Sequence, residues 1–559
     1  MRKLSGLLPL QFRVLYRQFL LRVIDLEALS IEADIPRFLG QFAGVLIMLS
    51  IIHAARIYLF FGAETWQIEQ YLIATMMLVA GLIIVVSWDA TFPDRRDVMV
   101  LSPLPIAPHT ILIAKVGTSC AILGLAILTL NCFSGLVCPL LLGAQHGTIS
   151  GLLQSFAAYW FTMAAAVAFL YCSVLTLQGF TALLLPRRLF LRLSAVLQLA
   201  AFGLFLGVYF MQGTITTSAA MAAPENRQIL ACSPSFWFFA LFNQLNGSLP
   251  VELAWLAQRA WIGLGLVVFG AAGSLLLCYM RAMKKTVEEP DLVPGAGGLH
   301  WTPRFGSLLQ TAILLFSFRS LARSRQHRVI FAFYLAVVFA IAISLLRGEL
   351  SAHPPIPLSP DLLISTLMMM SFAVFGLRSV FQLPISLTAN WVLRITQLCS
   401  PARYIAATRR SLLVLAVVPV WVVSAFLSIP FRPFGHGAAH LAVLALYGWA
   451  LSELGLIGFY KVPFTCSYLP GKSNIQFVFW GFLVVLLVVV MSIAEFEQRA
   501  FNDPIRLIRL LIVFAAVPVG LSAFNRHQAK FAVLYFEELP EEVITTLGLI
   551  PPRPAKTNT

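Results

Sequence analysis

Apolar runs of bilayer length recur along this chain, and they exclude almost every soluble fold. Ile111 to Phe133, Trp261 to Met280 and Leu441 to Tyr460 are examples, each close to the roughly 20 residues a helix needs to cross the hydrocarbon core. With no water there to satisfy N–H and C=O groups, such runs fold as helices. The balance of residue types agrees: 59% hydrophobic, 11% charged, mean hydropathy +0.86, where a soluble chain carries about 25% charged residues. The expectation is an all-α, polytopic helical membrane protein with about 12 transmembrane helices in two parallel six-helix halves.

The spans are expected at about Leu39–Gly62, Tyr71–Trp88, Ile111–Phe133, Phe156–Leu185, Leu193–Met211 and Trp261–Met280. A second set follows at about Val329–Leu346, Leu362–Leu377, Ser411–Ile429, Leu441–Tyr460, Phe477–Ile493 and Leu510–Phe524. The last is short and holds Pro518. Domain boundaries follow: 1–38, an amphipathic interfacial helix; 39–286, the first half; 287–307, a Pro/Gly linker; 308–524, the second half; 525–559, a polar tail. Residues 308–328 repeat the basic amphipathic character of the N-terminus, with Arg319, Arg323, Arg325 and Arg328. Residues 233–247, rich in Trp and Phe, are too short to span and read as an interfacial or re-entrant outer helix. Ser134 to Leu152 reads as an outer loop, and Glu64 and Glu69 as part of a short outer turn.

The net charge of +15 does not point to nucleic acid, because the basic residues are spread over many loops. Most of the 39 Lys and Arg residues fall beside segments that are cytoplasmic if both termini are inside. No cleavable signal peptide is expected. The expected location is a plasma (bacterial inner) membrane, multi-pass, with both termini cytoplasmic. Cys138 and Cys232 both lie near the predicted outer face, where a disulfide could form; the other cysteines read as packing residues.

One polar segment organises the first half. Residues 89–110 carry Asp94, Arg95, Arg96 and Asp97, then Pro103, Pro105 and Pro108. Prolines break a continuous helix, and charge excludes the stretch from lipid. Thr110 is the expected cap of the next helix, which carries Lys115 at its entrance. The second half has a counterpart at 378–410, after its own second span. Leu104-Pro105-Ile106 is matched there by Leu383-Pro384-Ile385.

Chemistry finds little support. Cys466 to Ser473 superficially resembles a phosphate loop, but Cys466 replaces its first glycine and no strand–loop–helix surrounds it. His436 and His440 are four apart without the Glu of a zinc protease, and read as an outer loop leading into a span rather than a metal site. Arg56 and Glu453 are intramembrane charges. Glu453 reads as functional or as a structural pair, with Arg56 or His53 as candidate partners. No catalytic residues, metal site or cofactor is expected.

These features together resemble type-2 ABC exporter permeases. The residues that carry the likeness are Asp97 to Ile106, with the Leu-Pro turn, and the Ala-Lys helix opening at Ile111 to Lys115; Pro234 to Gly247 matches the place of the family's short outer helices. The second half lacks Ala-Lys and offers Asn390, Arg394 and Arg403 instead. The resemblance implies a non-enzymatic permease, apparently two six-span units in one chain. A separate cytoplasmic ATPase, holding ATP and Mg, would dock on Asp94, Arg95, Arg96, Asp97, Leu104, Pro105, Lys115, Leu383, Pro384, Asn390 and Arg394. A homodimer is a further expectation. The alternative is a secondary, ion-coupled transporter with two parallel six-helix halves; a membrane scaffold or enzyme has no supporting residue.

Overall fold

The computed structural model describes residues 8–24, 35–60, 65–88, 101, 104, 106–212, 220–221, 223–288, 306–350, 356–385, 400–429, 431–432, 434–465, 475–501 and 503–534. In chain order its helices are α1 Leu8–Ile24, α2 Ile35–Phe60, α3 Thr65–Val86, α4 Pro108–Leu130, α5 Ser134–His146, α6 Ile149–Leu184, α7 Arg187–Met211, α8 Arg227–Cys232, α9 Pro234–Asn246 and α10 Ala254–Glu288. The second series is α11 Leu308–Arg323, α12 Arg325–Leu350, α13 Pro360–Phe381, α14 Pro401–Leu412, α15 Val418–Leu427, α16 Phe434–Gly455, α17 Ile475–Ala500 and α18 Pro504–Phe531.

The chain is an all-α, multi-pass membrane protein. Among the described residues, 9 helices are long and apolar enough to cross a membrane. Helices α2, α7 and α17 are 26, 25 and 26 residues long, also membrane length.

Local chemistry sets the helix ends. Thr148 caps α6 by accepting from the Gly151 N–H, and Pro186 follows its C-terminus. Ser307 and Gln310 form a reciprocal capping box at α11. Ser359 caps α13 just before Pro360. Helix α9 stops at Gly247, whose φ of 81° is left-handed and suits glycine. Between α14 and α15 the chain makes a π turn, Leu413–Val417. Pro419 lies just beyond it; proline lacks an N–H and crowds the carbonyl four residues back, and a wider turn relieves that clash.

Several element boundaries depart from the sequence reading. Helix α4 begins at Pro108 with Ala107 as N-cap and no side-chain cap, so Thr110 lies inside the first turn. The expected outer loop after α4 holds α5. Glu69 is not in a turn but in α3, fully inside the protein. His436 and His440 lie within α16 rather than in a loop before it. Helices α10, α17 and α18 extend past the expected span ends, and α18 continues through Pro518.

Two large cores form. The first gathers α3, α6, α7, α9 and α10, with Phe236, Phe238, Phe239 and Phe242 of α9 at its centre. The aromatic helix α9 therefore turns its phenylalanines into protein, against α3, α6 and α10. The second core gathers α13, α16 and the π turn, with α17 packed on them. The packing plan repeats. The amphipathic helix lies on the helix after the polar segment, α1 on α4 and α11 on α14. Next, α3 packs on α6 and α7, as α13 packs on α16 and α17. Finally, α6 packs on α10, as α16 packs on α18. The halves meet where α7 packs on α12, with the Phe202 and Phe333 rings 5.2 Å apart, edge to face. A two-residue parallel ladder, Ile356–Pro357 with Phe431–Arg432, ties two loops of the second half.

Candidate functional site

Asp94, Arg95, Arg96, Asp97, Pro105, Asn390 and Arg394 lie outside the described residues. Their flanks are described, and in both halves these flanks are anchored.

In the first half, α3 ends at Val86, and Trp88 follows it in the turn that leads to the polar segment. The Trp88 indole donates to Ser194 Oγ at 2.8 Å, and its carbonyl accepts from Gln178 Nε2 at 2.7 Å. Gln198 Nε2 donates to the Val85 carbonyl at 2.7 Å. The exit of α3 is thus tied to α6 and α7 by buried polar side chains. On the far side of the segment, Ile106 and Leu101 pack with Leu15, Phe19, Ile111 and Ala114, joining α1 to α4. Lys115 is buried there, its ammonium 5.3 Å from the Phe19 ring centroid, a cation–π contact. Leu104 is exposed on the same turn. The basic face of α1 that reads as lipid-facing therefore has an opposite, apolar face seated on α4.

The second half repeats the anchoring with other chemistry. Arg378 Nε donates to the Gly455 carbonyl, tying α13 to α16. His327 Nε2 lies 3.0 Å from the Leu383 carbonyl. The Ile385 N–H donates to Phe464 O at 3.2 Å, and the Phe464 N–H to Phe381 O at 2.9 Å. Phe464 adopts φ 66°, a strained value for a non-glycine residue. The Leu383 carbonyl and the Ile385 N–H thus tie the Leu383-Pro384-Ile385 turn to His327 and Phe464. On the exit side, Arg410 Nη1 donates to Gln310 Oε1 at 2.8 Å, pinning α14 to α11.

The intramembrane charges sort differently from the sequence reading. Glu453 pairs with neither Arg56 nor His53. Arg409 Nε lies 2.9 Å from its Oε1, off the hydrogen-bond direction. Trp449 Nε1 donates to the same oxygen at 3.2 Å, and Asn525 Nδ2 to Oε2 at 2.9 Å. This network joins α14, α16 and α18. Arg56 instead stacks over Tyr71, 4.6 Å from its centroid, and is exposed.

Glu453 is also not the only acidic residue deep in an apolar helix. Glu69 accepts from Asn243 Nδ2 at 3.0 Å, beside a cavity of about 10 Å³ lined by Cys138, Tyr159, Thr162 and Phe242, room for about one water molecule. Glu497 Oε1 lies 2.8 Å from His440 Nδ1, and His440 Nε2 lies 2.8 Å from Thr366 Oγ1. These polar contacts join helices that no apolar pattern could pair. Among the described residues no group of three metal-ligating side chains occurs, and Cys138 and Cys232 are free thiols.

No family model, curated protein or solved structure matches the chain.

Proposed function

We propose that this chain is the transmembrane permease of an ATP-driven ABC exporter. A separate cytoplasmic ATPase would dock on residues 89–110 and 378–410 and drive the spans. Both termini then face the cytoplasm of a plasma (bacterial inner) membrane, and the chain itself hydrolyses nothing.

One observation carries this reading: each polar segment is fastened at both ends, by side-chain and backbone bonds at its entry and by a seated amphipathic helix at its exit. A segment held so transmits displacement into the helices that hold it; a loop tied at one end would swing instead. The first segment reaches α3, α6 and α7 through Trp88, and α1 and α4 through Lys115. The second reaches α13, α16 and α14.

The test is purification in mild detergent from native membranes, assaying ATP hydrolysis before and after a stringent wash. Turnover is expected to leave with a co-purifying subunit, with none in the stripped chain. Turnover that stays with the stripped chain and falls on Lys472→Ala would place hydrolysis in this chain and overturn the reading. Substrate movement driven by an ion gradient, with no ATPase associated, would favour the secondary transporter.

A further inference from the structure

Helix α6 carries Thr162, Thr176 and Thr181, and two of them satisfy their hydroxyls locally. Thr176 Oγ1 donates to the Cys172 carbonyl at 2.7 Å, and Thr181 Oγ1 to the Leu177 carbonyl at 2.8 Å. This is the back-bond open to any helical threonine. Thr162 departs from the pattern. It is fully buried, yet its Oγ1 has no hydrogen-bond partner among the described residues. A buried hydroxyl left alone is costly, and protein interiors pair the large majority of them. Thr162 also lines the cavity of about 10 Å³ beside Glu69. Glu69 reaches that cavity from α3 and is buried as well. Asn243 Nδ2 supplies one bond, to Glu69 Oε2 at 3.0 Å, and a carboxyl group has sites for several.

We propose that this cavity is a binding site for one water molecule, shared by Thr162 of α6 and Glu69 of α3. The hydroxyl hydrogen of Thr162 is donated to the water, and the water donates to the Glu69 carboxyl group. Its second hydrogen is left for Tyr159 Oη or Cys138 Sγ, which line the same cavity. Tyr159 gives its own hydroxyl hydrogen to Asn131 Oδ1 at 2.7 Å, so towards the cavity it acts as an acceptor. The water then makes two to three bonds, the number usual for a buried one. Leu72 and Phe242 complete the wall. A cavity lined only by such side chains stays dry, but one water needs just two to four polar partners and a volume of about one probe sphere, and this cavity offers both.

The water gives α3 and α6 a second tie. Gln178 of α6 already bonds the Trp88 carbonyl just beyond the end of α3. Thr162 lies 16 residues earlier on α6, about 24 Å along the helix axis, and Glu69 lies near the start of α3. The two helices run in the same direction and are held at both ends. A direct bond between Thr162 and Glu69 is not made, so without the bridge the upper tie would not exist. Water-mediated bonds of this kind are nearly as good as direct ones.

Two measurements on the full chain in detergent test the site. The first is an electron cryo-microscopy map of the wild type, fine enough to show other buried waters. It is expected to hold a peak about 2.7–3.2 Å from both Thr162 Oγ1 and a Glu69 oxygen. The second is equilibrium unfolding of Thr162→Val, which keeps the side-chain shape and removes the hydroxyl. Loss of the bridge is expected to lower the folded-to-unfolded ratio about fivefold. Over a dry cavity the same change would delete an unpaired hydroxyl, and the ratio would rise. A ratio that rises or stays unchanged overturns the proposal. So does a wild-type map with a dry cavity, with a peak that touches Glu69 but not Thr162, or with Thr162 Oγ1 bonded to the Ala158 carbonyl. The map decides even where Thr162→Val does not fold. Neither measurement involves an ATPase, so the result is independent of the permease reading.

Discussion

At the residue scale, Glu453 shows what a single sequence can and cannot disclose. Its place in an apolar run marked it, because an acidic side chain in hydrocarbon needs a reason. Its partner was hidden: Arg409 sits in a basic stretch beside Arg410, the pattern of a cytoplasmic flank. Glu69 reads with Glu64 as part of a short turn, whereas α3 begins at Thr65 and carries Glu69 inward to Asn243. Removing one member of a buried pair leaves the other uncompensated, which costs about 3–5 kcal/mol. Arg409 keeps slight exposure, so Glu453→Ala is expected at the low end, about 3 kcal/mol. Replacing both, Arg409→Leu with Glu453→Leu, should cost less than Glu453→Ala alone. Unfolding in detergent with denaturant measures both. A single substitution that costs under about 0.5 kcal/mol, the range of ordinary surface changes, would show that the network does not hold the three helices.

At the element scale, the sequence disclosed which stretches are helices but not how they face one another. Apolar runs announce spans because lipid forces their backbone bonding inward. Faces are another matter. The Phe-rich α9 suits a lipid interface and a protein core equally well by composition, and only its neighbours decide that Phe236, Phe238 and Phe239 are buried. Close approaches are likewise set by what lies opposite. A Cβ built on Gly179 of α6 would sit 2.2 Å from Ser274 Oγ and 3.3 Å from Ser274 Cα of α10, so these helices pack nearly backbone to backbone, as small residues allow in membranes. Gly179→Val is therefore expected to destabilise the protein by about 1–3 kcal/mol through overpacking. Gly203→Ala in α7, whose added Cβ meets nothing within 4 Å, should be neutral or stabilising by up to about 1 kcal/mol through helix propensity. Thermal unfolding followed by tryptophan fluorescence separates the two; equal losses would mean that α6 and α10 do not approach as described.

At the scale of the whole molecule, the all-α, multi-pass character was legible from hydropathy: among the described residues 9 helices are long and apolar enough to cross a membrane. The matching Leu-Pro-Ile turns located the polar segments. The anchoring of those segments was not legible, because Trp88, Gln178, Ser194, His327 and Arg378 are single residues distant in sequence from what they hold. The topology has a direct check. Reporter fusions at Gly306 and Thr559 should read cytoplasmic and a fusion at Gly247 should read outside; a reversal at any one breaks the six-plus-six plan.

In the proposed permease, residues 89–110 receive an ATPase. Charges on such a surface steer and orient a partner, whereas positive-inside charges only fix topology. Replacing Arg95 and Arg96 together by Glu should leave membrane insertion intact and abolish co-purifying ATPase activity. Replacing both by Gln, with two Lys residues added elsewhere on the cytoplasmic side, restores the inside charge without the contact surface. This control is expected to lack the ATPase as well. An ATPase that stays bound to the Gln variant would contradict it and leave the segment as a topology signal.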